Sequence, residues 1–339
     1  MIKSEYKFFL FGMGDREKYI YKNKALIRYK DNKIIYAWNC CCEEIIPEEY
    51  TVILTQNDGG RVVLTENEEG FYVNDICLSS SKICLPKFEE YRYPSHLKIL
   101  LHEVLINIID GKPVPNYFVY QKPWYRDSAM MGMVLKATNN LHLIKDWVLS
   151  IDEMYDKNNA GQCEPDNLGQ LLYLISLVST REHPMVQRVI DEAKRISENG
   201  LLTGLTDFGD HRIYSTLWLK FGLQALGIED DITSIPVEFD SYARMFWMDR
   251  RGIETETEYQ NDYNRLFPYL WWAVKHFENE AIDEEFLELS YPMSWEKKAS
   301  QAKYEQISQL SKVYADNKFS APHTWHASEM FLYLIEMEK

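Results

Sequence analysis

Four consecutive residues, Trp124-Tyr125-Arg126-Asp127, precede a run of Met, Val and Leu that has the composition of a buried helix. The guanidinium of Arg126 offers a rigid fork of donors and the carboxylate of Asp127 offers acceptors, so the pair can bridge two neighbouring hydroxyl groups of a sugar. A flat ring such as Trp124 or Tyr125 can stack on the C–H face of the same sugar. In the ordinary alternative, Asp127 is a helix N-cap and the two rings pack against the rest of the protein. An N-cap does not require the three residues before it, so we interpret the four as a sugar-binding cluster.

Similar polar segments stand before other apolar runs. They cover residues 160–167, 204–212, 254–264 and 320–326, and each is rich in carboxylates, aromatic rings, amides or histidines. If the helices that follow run in one direction, their N-terminal ends line one pocket, where the positive ends of the helix dipoles favour carboxylates and polar ligands. The predicted substrate-binding residues are Trp124, Tyr125, Arg126, Asp127, Gln162, Asp166, Asn167, His211, His323, Trp325 and His326.

The carboxyl groups of these segments suggest acid/base chemistry. Glycoside hydrolysis requires one protonated carboxyl group near the leaving oxygen and a second carboxylate that activates water or attacks carbon. Glu164 is our candidate for the acid, and Asp207 or Asp210 for the base. In the alternative, Glu164 is a solvated loop residue and the aspartates are N-caps. With the catalytic reading, we expect a glycoside hydrolase that acts on a small oligosaccharide or glycoconjugate; inversion is implied only by the superfamily resemblance described below.

Composition limits the class of protein. The 339 residues suit one large domain, or a large domain with a smaller attachment. Hydrophobic residues make up 46% and charged residues 26%, which is typical of a globular chain. The net charge of −15 argues against nucleic acid or an anionic membrane surface as the main partner. We therefore expect a carbohydrate substrate, no nucleic-acid or membrane partner, and an oligomeric state that the sequence leaves open.

The remaining motifs point to a cytoplasmic protein without a cofactor. Six cysteines include three in a row, and no pair has the spacing of a metal site, so we expect reduced thiols and no bound metal. The apolar stretch 8–13 is too short for a membrane helix. Neither a P-loop nor a GxGxxG motif is present, and we expect no nucleotide cofactor.

The period of the hydrophobic residues changes along the chain. Residues 1–90 alternate with period two and contain turn sequences at 31–32, 57–60 and 67–70, which predicts a small β-rich domain. From Pro94 the apolar residues recur every three to four residues, and nine helices are predicted, among them 96–109, 128–139, 141–155 and 167–179. Helices that are apolar nearly all round alternate with amphipathic ones, which predicts two concentric layers. We therefore expect a mainly α fold, with residues 91–339 forming an (α/α)6-type toroid that carries the active site.

Three segments carry a resemblance to a known superfamily. Residues 123–135 (PWYRDSAMMGMVL), 164–170 (EPDNLGQ) and 323–335 (HTWHASEMFLYLI) resemble the six-hairpin glycosidase superfamily of glucoamylase-like (α/α)6-toroid enzymes. The resemblance implies that Arg126 and Asp127 hold sugar hydroxyls, that a Glu or Asp on a neighbouring loop is the general acid, and that residues 323–328 complete the pocket. Nine helices instead of twelve predict a shortened toroid, or further helices within residues 228–320.

Two other classes of function fit the same residues. A sugar epimerase or isomerase would move a proton with histidines, and His211, His323 and His326 are its candidates. A non-catalytic carbohydrate-binding protein would keep Trp124, Arg126 and Asp127 without an effective acid. Product analysis separates the two enzymes, and a binding assay separates either enzyme from a protein that does not bind sugars.

Overall fold

The computed structural model describes residues 8–117, 121–158, 160–206, 209–235 and 324–336. Within these ranges two antiparallel sheets come first and helices follow. No helix among them is long and apolar enough to cross a membrane.

Each sheet is a meander in which sequential strands pair as neighbours. The four-stranded sheet contains β1 (Phe8–Phe11), β2 (Tyr19–Lys22), β3 (Ala25–Arg28) and β4 (Lys33–Ala37). The five-stranded sheet contains β5 (Cys40–Ile46), β6 (Thr51–Gln56), β7 (Arg61–Glu66), β8 (Gly70–Val73) and β9 (Ile76–Ser80).

The two sheets share one apolar core. Alternate residues of each strand point to the same face, and the inward set includes Tyr21 and Leu26 from one sheet and Leu54 and Leu64 from the other. Phe11 stacks on Phe71 across the two sheets with ring centroids 4.3 Å apart. The expected turns are present, since residues 29–31 join β3 to β4 and the other two predicted turn sequences join β6 to β7 and β7 to β8.

Helices occupy the described chain after residue 93, together with two short hairpins. The helices are α1 (Pro94–Ile106), α2 (Tyr125–Ala137), α3 (Lys145–Leu149), α4 (Asp166–Val178), α5 (Pro184–Ile196), α6 (Arg212–Ala225) and α7 (Thr324–Glu336). The hairpins pair β10 (Ile108–Ile109) with β11 (Lys112–Pro113) and β12 (Ser197–Glu198) with β13 (Leu201–Leu202).

The buried helices form a row in the order α1, α7, α2, α4, α6. The pair α4 and α6 is packed most closely, because Gly169 on α4 and Gly222 on α6 lie at their crossing. A Cβ atom at Gly169 would stand 2.1 Å from the backbone carbonyl carbon of Trp218. Glycine at this position therefore sets the distance between the two helices.

A buried ion pair fixes the loop between β1 and β2. Glu66, at the end of β7, accepts hydrogen bonds from Gly12 N at 2.9 Å, Met13 N at 2.7 Å and Arg16 Nη1 at 3.0 Å. The side chains of Arg16 and Glu66 are both fully buried. A Cβ at Gly12, which has φ +105°, would lie 2.3 Å from the carbonyl oxygen of Glu17, so the tight loop depends on glycine. The pair thus joins the two sheets.

The sheets contact the helices mainly through α1. His102 on α1 stacks on Phe9 with ring centroids 4.8 Å apart, and its Nε2 lies 2.9 Å from the carbonyl oxygen of Leu10. The hydroxyl of Tyr50 donates to the carbonyl oxygen of Lys98 at 3.0 Å. Burial lowers the pKa of His102 to about 4, so this contact is made by a neutral imidazole at neutral pH.

The expected fold class is wrong. The described residues form a mixed α and β structure with four- and five-stranded antiparallel sheets, and not a mainly α (α/α)6 toroid with a small β region. Membership of the six-hairpin glycosidase superfamily, which was tied to that toroid, is wrong with it. The β region was underestimated because the turn sequences indicated only β3, β4, β6, β7 and β8, whereas the two sheets also contain β1, β2, β5 and β9. The division into domains at residue 90 stays a prediction.

One predicted helix forms only in part. Residues 141–155 show helical periodicity, but the chain forms a 3-10 turn at Leu141–Leu143, the short helix α3, and then an irregular segment. The apolar residues of the pattern, including Ile144, Val148 and Ile151, are nevertheless buried. Periodicity therefore identified the buried side chains and not the length of the helix.

Candidate functional site

Arg126 is the centre of a buried cluster of charges. As the second residue of α2, it donates from Nε to Asp166 Oδ2 at 2.9 Å and from Nη2 to Glu164 Oε2 at 2.7 Å. Only 10% of its side chain is exposed. Burial acts to lower the pKa of Arg126, but the charges of Asp166 and Glu164 outweigh it and the pKa stands well above its ordinary value. The site therefore holds a permanent cation between two carboxylates.

Helix α4 supplies the first of these carboxylates. Asp166 is the first residue of α4 and is fully buried. Its Oδ2 also accepts a hydrogen bond from Gln170 Nε2, one turn later, at 2.8 Å, while Thr206 Oγ1 lies 3.5 Å from its Oδ1. The helix N-terminus adds a favourable positive potential. Asp166 is thus fixed on both oxygens, which suits a residue that orients Arg126.

Glu164 lies two residues before α4 and supplies the second carboxylate. Its Oε2 accepts from Arg126, and its Oε1 accepts from Asn158 Nδ2 at 3.0 Å. The side chain is 7% exposed, whereas that of Asp166 has no exposure. Of the two carboxylates paired with Arg126, Glu164 is therefore the one with a route to solvent.

Aromatic rings from two further helices complete the cluster. Cζ of Arg126 stands over the ring of Trp325 at 6.0 Å from the centroid, a distance at the outer limit of a cation–π interaction. Trp325 belongs to the first turn of α7 and Tyr214 to that of α6. Both rings are buried, and Tyr214 interacts electrostatically with Arg126. The first turns of α2, α4, α6 and α7 therefore meet at one place.

A second type of carboxyl group stands beside this cluster. The pKa of Asp156 is raised to about 7, chiefly by burial and also by the nearby charge of Asp166, while the amide of Tyr125, Arg126 and Lys122 oppose the shift. Asp156 Oδ2 accepts from Tyr125 N at 2.6 Å, and Asp156 N donates to Asn167 Oδ1 at 3.2 Å. Near neutral pH, Asp156 is therefore half protonated and can donate a proton.

The sequence analysis missed Asp156. The predicted helix 141–155 ended one residue before it, and the next polar segment was taken to begin at residue 160. The polar run Asp156-Lys157-Asn158 was the available signal. Its carboxyl group reaches the start of α2 because the chain leaves the helix at Leu149, and this departure was not visible in the periodicity.

Other predicted binding residues lie close to the cluster. Asp127 is the third residue of α2 and is buried, while Trp124 occupies the N-cap position, so the reading of Asp127 as an N-cap is wrong. Tyr125 donates through its hydroxyl to the carbonyl oxygen of Glu153 at 2.7 Å. Asn167 is buried and donates from Nδ2 to Gln170 Oε1 at 3.2 Å.

The remaining predicted residues are less buried or lie outside the described residues. Asp210 is exposed and accepts from Arg212 Nε at 3.2 Å, Gln162 is exposed in the loop before Glu164, and His211 is half-buried at the N-cap of α6. The positions outside the described residues are Asp207, His323 and the side chain of His326. The catalytic roles suggested for Glu164, Asp207 and Asp210 stay predictions.

Comparison with known proteins gives no match. No family model, curated protein or solved structure matches the chain. The superfamily resemblance therefore has no support from these comparisons, and any function has to be argued from the site itself.

Proposed function

We propose that the chain is a glycoside hydrolase that acts on a small oligosaccharide or glycoconjugate by acid/base catalysis. The observation that supports this most directly is that two carboxyl groups of the site, those of Asp156 and Glu164, have unlike surroundings. Asp156 has a pKa of about 7, while Glu164 is bound to Arg126 and Asn158. Carboxyl groups whose environments differ in this way divide into an acid and a base.

This proposal gives Glu164 the opposite role from the one suggested by the sequence. Glu164 accepts hydrogen bonds from Arg126 and Asn158, and we assign it as the carboxylate that activates water. Asp156 is the proton donor to the leaving oxygen. Arg126 keeps Glu164 in place, and Asp166, which is fully buried, orients Arg126. In an inverting enzyme, the water occupies the space between the acid and the base.

Aromatic residues support a carbohydrate as the substrate, rather than an ester or another kind of acetal. Trp124 is partly exposed two residues before Arg126, and the centroid of the Trp325 ring lies 6.0 Å from the guanidinium carbon. Flat rings beside a donor fork and carboxylates match the alternating C–H faces and hydroxyl groups of a sugar ring. This is the reading of residues 124–127 with which the sequence argument began.

The experiment is an assay of the purified chain on oligosaccharides and on aryl glycosides. Asp156→Asn should lose about 10²–10⁴-fold in kcat on oligosaccharides, the usual contribution of a general acid. It should retain most of its activity on dinitrophenyl glycosides, whose leaving group needs no proton. Glu164→Gln should lose activity on both. Asp191→Asn, an exposed change on α5, is the matched control and should behave as the unmodified chain.

Four results would contradict the proposal. Equal losses for Asp156→Asn on both substrates would remove its role as an acid. Full activity of Glu164→Gln together with loss in Asp210→Asn would return the base to the position suggested by the sequence. Thermal stabilisation by sugars without cleavage would indicate a binding protein, and interconversion without cleavage would indicate an epimerase.

A further inference from the structure

Asn158 uses both ends of its side-chain amide. Its Oδ1 accepts hydrogen bonds from Ala160 N at 2.9 Å and Gln162 N at 3.0 Å. Two backbone donors require the oxygen to face them, so the NH2 group points the other way. There it donates to Glu164 Oε1 at 3.0 Å, and Gln162 Oε1 lies 3.4 Å from the same nitrogen. The orientation of the amide is thus fixed by its surroundings.

The same residue closes the loop between the two unlike carboxyl groups. Asn158 N donates to the carbonyl oxygen of Gln162 at 3.0 Å, and Gly161 N donates to the carbonyl oxygen of Asn158 at 2.8 Å. Asp156 lies two residues before this loop and Glu164 two residues after it. The loop therefore sets where Glu164 emerges relative to Asp156.

Two different side chains bind Glu164, one at each of its carboxylate oxygens. Arg126 donates to Oε2, and Asn158 donates to Oε1. One donor leaves a carboxylate free to rotate about its last bond, while two donors on separate oxygens fix its plane. We infer that Asn158 is a positioning residue that fixes the Glu164 carboxylate opposite Arg126. As a role in catalysis, this rests on the proposed function.

Exchange of Asn158 for Asp separates this role from the closure of the loop. Asn158→Asp keeps an acceptor for the amides of Ala160 and Gln162, but it places a carboxylate against Glu164 where a donor was. Asn67→Asp is a matched control. Asn67 Oδ1 accepts from Glu69 N at 2.9 Å and Gly70 N at 3.1 Å in an exposed turn of the five-stranded sheet, so the same change of charge is made in a similar turn.

The first measurement is thermal unfolding between pH 3 and pH 8, which needs no substrate. The melting temperature of Asn158→Asp should fall several degrees below that of the unmodified chain at pH 7, and the difference should become smaller as the pH is lowered toward 3 and the new carboxyl group is protonated. Asn67→Asp should show no such dependence. In the double variant Asn158→Asp with Glu164→Gln, called the exchanged pair, the amide of residue 164 can donate to the carboxylate of residue 158. The exchanged pair should therefore recover the melting temperature at pH 7.

The second measurement is kinetic. Asn158→Asp should lower kcat about 10–100-fold, the usual effect of losing an orienting partner, with KM changed less than threefold and the acidic limb of the pH profile moved upward. The exchanged pair should stay inactive, because it lacks the Glu164 carboxylate.

The outcomes separate the two proposals. A pH-dependent loss of stability that the exchanged pair repairs, in a chain that cleaves no sugar, would overturn the proposed function and keep the contact. Equal behaviour of Asn158→Asp and Asn67→Asp, or no recovery in the exchanged pair, would overturn the inference. So would an active enzyme whose kcat and pH profile do not change in Asn158→Asp.

Discussion

Asp156 and Glu164 lie eight residues apart and have different hydrogen-bonding partners. Asp156 has a backbone amide as its close partner and is mostly buried, so its neutral form is favoured. Glu164 has a guanidinium and an amide as partners. The sequence shows two acidic side chains in one polar segment. The partners that distinguish them come from residue 126 and from the fold of the loop, and neither is visible in the local sequence pattern.

The raised pKa of Asp156 predicts a specific dependence of stability on pH. Its value is about 7 in the folded chain and near 3.8 when unfolded. Between these values the folded state binds more protons, so the contribution of Asp156 is fully present below pH 4 and is lost as pH rises to 7. Asn cannot ionise and can still accept from Tyr125 N. Asp156→Asn should therefore be more stable than the unmodified chain at pH 8, by at most about 4 kcal/mol.

Urea denaturation at pH 4 and at pH 8 measures this difference. Asp191→Asn, on the exposed face of α5, controls for the loss of one negative charge. If Asp156→Asn were less stable than the unmodified chain at pH 8, ionised Asp156 would have to be a favourable group in the folded state.

At the scale of elements, strands and turns were easier to foresee than helix lengths. Alternation with period two and turn residues rich in Asn, Asp and Gly identified the hairpins of β3 with β4 and β6 with β7. The helix prediction for residues 141–155 was wrong because tertiary contacts determine the backbone conformation there. Ser150 Oγ donates to the carbonyl oxygen of Trp147 at 2.7 Å where α3 ends, and Tyr125 holds the carbonyl of Glu153. A partner from residue 125 cannot be read from the local pattern.

The ion pair that joins the two sheets makes an element-level prediction. Glu66→Ala leaves Arg16 buried without its carboxylate, which should destabilise the chain by about 3–5 kcal/mol. Arg16→Ala should have a similar effect. The double variant should lose less than the sum of the two, because neither unpaired charge remains.

Urea denaturation of the four chains forms the double-mutant cycle. Exposed Lys194 and Asp231, which pair at 2.9 Å, give a control cycle that should show a coupling of roughly 0.2–1 kcal/mol. Additive losses at Arg16 and Glu66 would show that the pair does not act as a unit.

At the scale of the whole molecule, the meeting point of the helices was foreseen and the architecture was not. The polar segments before α2, α4 and α7 were expected to converge, and Arg126, Glu164 and Trp325 do lie together. Counting helices, however, says nothing about how much of the chain pairs as strands. The order α1, α7, α2, α4, α6 also depends on contacts between residues more than 180 positions apart, which no local pattern encodes.

The close crossing of α4 and α6 predicts which glycines the helical row needs. Gly169→Ala puts a Cβ into the backbone of α6, so we expect a loss of at least about 3 kcal/mol or failure to fold. Gly132→Ala on α2 is the matched control, because its Cβ would meet the ends of two side chains, Leu177 Cδ1 at 2.6 Å and Leu174 Cδ2 at 3.7 Å, and no backbone atom within 4 Å outside its own helix. It should be neutral, or gain up to about 1 kcal/mol from helix propensity. Chemical denaturation compares the two, and equal stabilities would contradict the close crossing.

The position of α7 between α1 and α2 has a consequence for synthesis of the chain. While the ribosome is still adding residues before Thr324, the apolar sides of α1 and α2 that α7 covers stay open to solvent. The sheets, whose pairings are all between neighbours in sequence, can form long before. A nascent chain of this protein therefore carries a finished β portion and an incomplete helical row, and chaperones that recognise apolar surface would bind it there until the last turn of α7 is made.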